Sequence, residues 1–92
     1  MNATTATTAP AWIARAKEAA TEIAEAAANA TGDACTELWN AASLLSILGY
    51  DMADATLADV ADIAARADEA AARGNYSGPR YAPELTGLRM TA

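Results

Sequence analysis

The sequence predicts an all-α protein: a compact three-helix bundle with a flexible N-terminal arm over residues 1–9 and an irregular C-terminal tail over residues 75–92. Three observations predict it. Alanine, the residue that loses least on entering a helix, fills 28 of the 92 positions. The large apolar residues recur at steps of three and four, the period of one helix face. Glycine and proline fall between these periodic stretches, at Gly32, Gly74, Pro79 and Pro83, where they punctuate helices. The same composition limits the core, because Leu, Ile and Val together number 12 and Phe is absent. A methyl group contributes little apolar area where two helices meet.

Residues 1–9 are small and polar without a period, and read as an arm. The first helix is expected over about 10–31. Pro10 suits its first position, since the missing N–H would have no intrahelical partner there. Ile13, Ala16, Ala20, Ile23, Ala27 and Ala30 form its inward stripe, and Thr31-Gly32 ends it, with Gly32 in the left-handed conformation.

The second helix is expected over about 34–48, capped by Asp33 and stopping before Gly49. It carries the bulk of the chain. Leu38, Ala41, Leu45 and Leu48 make one stripe, while Trp39, Leu44 and Ile47 lie partly or wholly off it. No charged residue stands between Glu37 and Asp51. A helix apolar on more than one face must be covered on more than one face, so this is the central helix.

The third helix is expected over about 53–73, with Asp51 or Asp54 as its cap and Ala53, Leu57, Val60, Ala64, Ala67 and Ala71 facing inward. Asp62 with Arg66 and Glu69 with Arg73 stand four apart in the favourable acid-first order. Close antiparallel pairing of the first and third helices, with the second laid across their seam, is the expected packing. Beyond Gly74, Pro79 and Pro83 bar a continuing helix, and only Glu84 to Leu88 could make a single turn. Tyr76, Tyr81, Leu85 and Leu88 make that tail either a cover for the thin bundle or a partner-binding motif.

The residue inventory excludes most chemistry. Without a histidine there is no Ser-His-Asp or Cys-His nucleophile and no histidine-ligated zinc site. The glycines stand far apart, so no phosphate loop exists. Asp51, Asp54, Asp59 and Asp62 belong to a helix and its cap, not to a calcium loop. Cys35 stands alone, which removes any internal disulfide, and reads as a small buried hydrophobe. No enzyme activity, cofactor or metal is therefore expected.

The net charge of −6 disfavours direct contact with nucleic acid or an anionic membrane. No signal peptide or membrane span is visible, and a cytoplasmic location is the default expectation. The expected function is a non-enzymatic protein–protein interaction module, an inhibitor or small accessory subunit whose partner is another protein or a second copy of itself. Trp12, Trp39, Leu44, Ile47, Tyr76 and Tyr81 are its candidate anchors, being the side chains able to fill a pocket. The alternative is an acidic, nucleic-acid-mimicking decoy of the kind a phage or mobile element would encode. It would present Glu18, Glu22 and Glu25 from the first helix and Asp59, Asp62 and Glu69 from the third.

Overall fold

The structure, a computed structural model, describes residues 10–91. The arm expected over residues 1–9 lies outside the described residues. Within them the protein is all-helical, with α1 spanning Ala11–Ala28, α2 Gly32–Asp51, α3 Leu57–Arg73 and α4 Ala82–Met90. The bundle therefore has four helices, not three, and the segment read as irregular tail contributes the fourth.

Proline explains both the expectation and its correction. Pro83 stands at the start of α4, where a missing N–H costs nothing, so it opens a helix instead of barring one. The N-terminus of α4 is capped from another helix. Asp68 of α3, a buried carboxylate, accepts from the Tyr81 N–H at 2.8 Å and from the Ala82 N–H at 2.8 Å. Those are two of the donors that a helix start leaves without partners. Helix α4 thus needs a tertiary acceptor, which no local pattern announces.

Other boundaries shift for local reasons. Helix α1 stops at Ala28, with the Asn29 N–H turned back to the Ala26 carbonyl and the Ala30 N–H to that of Ala27. Gly32 takes the left-handed conformation, at φ +64°, but as the first residue of α2 and not as the end of α1, and Thr31 rather than Asp33 is the cap position of α2. Asp33 lies in the first turn, where its charge favours the helix dipole. Gly49 does not stop α2. It is buried inside the helix because a Cβ there would come within 2.9 Å of Lys17 Cγ and 3.2 Å of Lys17 N, so it allows α1 and α2 to approach closely. Helix α3 begins four residues later than expected. Thr56 and Asp59 form a reciprocal capping box, displacing the Asp51/Asp54 pair as its start. Ala53 therefore lies in the connection, exposed, and Leu57 is also exposed.

The connections reverse the chain each time. Ala16 and Lys17 meet Gly49, and the Cys35 thiol donates to the Ala27 carbonyl at 3.4 Å, so α1 and α2 are antiparallel. Gly74 meets Leu38 and Ala34, and Arg73 meets Glu37, so α2 and α3 are antiparallel as well. It follows that α1 and α3 run parallel, which overturns the expected antiparallel seam between them. The substantial seams are α1 with α2, α2 with α3, α3 with α4 and α1 with α4. Helices α2 and α4 bridge α1 and α3 from different sides.

The core follows the predicted stripes closely. Ile13, Ala16, Ala20, Ile23 and Ala27 of α1 are buried, as are Leu38, Ala41, Leu45 and Leu48 of α2 and Val60, Ala64, Ala67 and Ala71 of α3. Trp12, Tyr81 and Leu85 supply the bulk that the alanines lack.

Candidate interaction face on α2

Helix α2 buries its leucine stripe between α1 and α3, and the side turned away from both stays open. Trp39 is 47% exposed, Ile47 45% and Tyr50 64%, with Leu44 half-buried beside them. These are most of the large apolar groups left outside. A groove of about 310 Å³ runs along α2 on the α1 side, lined among others by Lys17, Ala20, Trp39, Ser43, Ser46 and Tyr50. A second, of about 450 Å³, runs on the α3 side past Asn40, Leu44, Ile47, Arg66, Glu69 and Arg73. Ser43 borders both, so α2 stands as a ridge between two grooves.

The face is close to electrically neutral. Lys17 places its ammonium 4.6 Å from the centre of the Tyr50 ring, a cation–π contact at the C-terminal end of α2. Arg66 pairs with Asp62 at 3.2 Å, and Arg73 pairs with Glu37 of α2 at 3.0 Å. The first ion pair is the one the i,i+4 spacing predicts. The second replaces the expected Glu69–Arg73 pair, since Glu37 lies across the helix seam and Arg73 reaches it. An apolar strip with compensated charges is a surface suited to contact with another protein surface.

The six candidate anchors divide. Trp39, Leu44 and Ile47 share this face. Trp12 and Tyr81 are in the core and present no ring to a partner in this fold. Tyr76 is half-buried, its ring centre 6.1 Å from that of Tyr81. The tyrosines build a polar network instead. Tyr81 donates its hydroxyl to Glu22 Oε1 at 2.6 Å, which leaves its oxygen to accept from the Tyr76 hydroxyl. Arg15 lies over the Tyr81 ring and pairs with Glu84 at 2.8 Å and Glu22 at 3.1 Å.

Burial, and then donation to Glu22, push the Tyr81 hydroxyl far up, so it remains a donor throughout the working range. The Tyr81 hydroxyl, and then Arg15, hold the Glu22 carboxyl below the usual Glu range. Hydrogen bonding to Glu84 raises Arg15 further and keeps it charged. The network joins α1 to the start of α4.

Four of the six acidic candidates are engaged within the chain. Glu18 and Glu22 pair with Arg15, Asp59 closes the α3 capping box, and Asp62 pairs with Arg66. Glu25 and Glu69 are exposed and make no ion pair among the described residues.

Sequence reasoning missed three contributors. Tyr50 reads as a junction residue because Gly49 looks like a stop; its distance of eleven residues from Trp39, three helical turns, is the signal that aligns them. Lys17 reads as ordinary surface. Asp68, the buried cap of α4, has no distinguishing pattern at all.

Among the described residues no three His, Cys, Asp or Glu side chains converge as a metal-binding group, and no helix is long and apolar enough to cross a membrane. Comparison with known proteins returns no matching family model, curated protein or solved structure.

Proposed function

We propose that this chain is a non-enzymatic protein–protein interaction module, an inhibitor or small accessory subunit, and that it engages its partner through the outer face of α2. The observation that carries this reading is the coincidence of exposed bulk with absent charge. Trp39, Ile47 and Tyr50 stand open on a helix that has no charged residue from Leu38 to Tyr50, in a chain whose apolar bulk is scarce. Aromatic anchors beside shallow grooves are the features from which binding hot spots are built. The grooves flanking α2 supply room for partner side chains, and the paired arginines supply a polar rim.

The acidic-decoy reading stands behind this one. Most of its carboxylates already serve arginines or a helix cap of their own chain.

The test is capture from source-cell extract by immobilised protein, comparing wild type with Trp39→Ala and with Ile47→Ala. Specific retention that both substitutions abolish, with helicity and unfolding midpoint preserved, is the expected result. Retention indifferent to both substitutions, or collapse of the fold in the variants, would sink the assignment of this face.

A further inference from the structure

We infer that the partner seated on the α1 side of this face is a second copy of the chain, packed antiparallel through α2 about a two-fold axis passing between Ser43 and Ser46. This rests on the interaction-face reading above and names the occupant.

Order along the helix is the first ground. Trp39, Ser43, Ser46 and Tyr50 succeed one another at steps of four, three and four residues, and all four line the α1-side groove. Steps of three and four keep side chains on one face, so these four form a single line along the outside of α2. Read from either end, the line is aromatic, serine, serine, aromatic. A two-fold axis that reverses α2 lays Ser43 on Ser46 of the second copy and Trp39 on its Tyr50. Crossed helices approach most closely at their crossing point and diverge beyond it. Here the small hydroxyl side chains fall at the closest approach, and the large rings fill the widening ends. An isologous interface must be complementary to itself. The palindrome meets that demand.

Charge is the second ground. Each copy carries −6, so two copies repel over most of their surface. Contact is cheapest where charge is least. Helix α2 offers no charged side chain from Leu38 to Tyr50, and the arginines on its far flank are already paired with Asp62 and Glu37. Lys17, lying over Tyr50, adds a cation beside the place where Trp39 of the second copy arrives.

Area is the third ground. At about 1.5 Å per residue, α2 is about 30 Å long. With a helix diameter of about 10–12 Å its outer face offers about 300 Å² per copy. That is the size of a weak, transient contact, and it suits a dimer that dissociates on dilution.

Sedimentation equilibrium of the full chain tests this. Wild type should approach twice its 9.4 kDa mass as concentration rises and dissociate on dilution. Ser43→Glu with Ser46→Glu should hold the chain at the monomer mass, because four carboxylates would crowd the axis. Ser43→Glu with Ser46→Lys should restore the dimer, since the antiparallel register sets each new carboxylate against a new ammonium across the axis. Circular dichroism on both variants confirms that the helices persist.

A wild type monomeric at every concentration overturns the inference, as do two double variants of equal mass. A monomeric wild type that still loses a captured foreign protein through Trp39→Ala overturns the second copy alone and leaves the interaction face standing. A dimer untouched by Trp39→Ala overturns both.

Discussion

The two helices that bridge α1 and α3 are held in opposite ways. Helix α2 packs through leucines at three- and four-residue steps and has apolar bulk left over on its outer side. Helix α4 is nine residues long, has one buried leucine, and is fixed by polar contacts. Asp68 holds its first amides, Tyr81 reaches Glu22 across the seam, Arg15 binds Glu84, and Arg89 donates to the Ala55 carbonyl at 3.0 Å. A chain poor in large apolar side chains closes its fourth side with charge-assisted hydrogen bonds. Bulk that could have reinforced that side stands on α2, facing out. That distribution is hard to account for by folding alone, and the proposed association through α2 would account for it.

Substitutions at the two bridges should separate them, with the largest loss at the ring that both the core and the polar network use. Tyr81→Ala removes a fully buried side chain together with its hydroxyl contacts, and should cost about 3–5 kcal/mol in urea unfolding. A loss below about 1 kcal/mol would show that α4 contributes little to the fold.

Asp68→Ala leaves the Tyr81 and Ala82 amides without acceptors and should cost about 1–3 kcal/mol. Hydrogen exchange should quicken in α4 and stay unchanged in α2. Equal acceleration in both helices would dissolve the distinction between them.

Gly74→Ala probes the α2–α3 end of the bundle, where a Cβ would stand 2.7 Å from Leu38 Cγ and 2.9 Å from the Ala34 carbonyl oxygen. A cost of about 1–3 kcal/mol is expected from this overpacking, read as a lowered melting midpoint.

Acid should loosen α4 before α2. The Glu22 carboxyl is held below the usual Glu range, so its contribution is complete above that range and is lost as pH falls through the lowered value. Exchange of the α4 amides should rise first in that acid window. Simultaneous melting of both helices would contradict the polar account of α4. The smallest effect on stability belongs to Trp39→Ala, about 1 kcal/mol or less, because its ring is half outside the fold already.

Much of this fold is legible in the sequence, because periodicity is a local property. The buried stripes of α1, α2 and α3 follow from steps of three and four, and the left-handed conformation of Gly32, though not its place at the start of α2, follows from the break in the pattern at Thr31-Gly32. Helix α4 is not legible, since its cap comes from Asp68, thirteen residues before Tyr81 in sequence. Gly49 misleads for a similar reason: a glycine needed for close approach of two helices looks in sequence like one that ends a helix. The anchors divide on the same principle. Trp39, Leu44 and Ile47 lie off a leucine stripe that can be read directly. Nothing local distinguishes Trp12 and Tyr81, which fill the core, from aromatics that face a partner.

Trp39 as the sole tryptophan, in a Trp12→Phe background, reports on the outer face of α2 most directly. Acrylamide quenching across a dilution series is the measurement. An indole open to quencher when dilute and progressively shielded as concentration rises, with helicity constant, is the predicted result. Shielding at every dilution would place Trp39 in the core, and open access at every concentration would remove the second copy from that face.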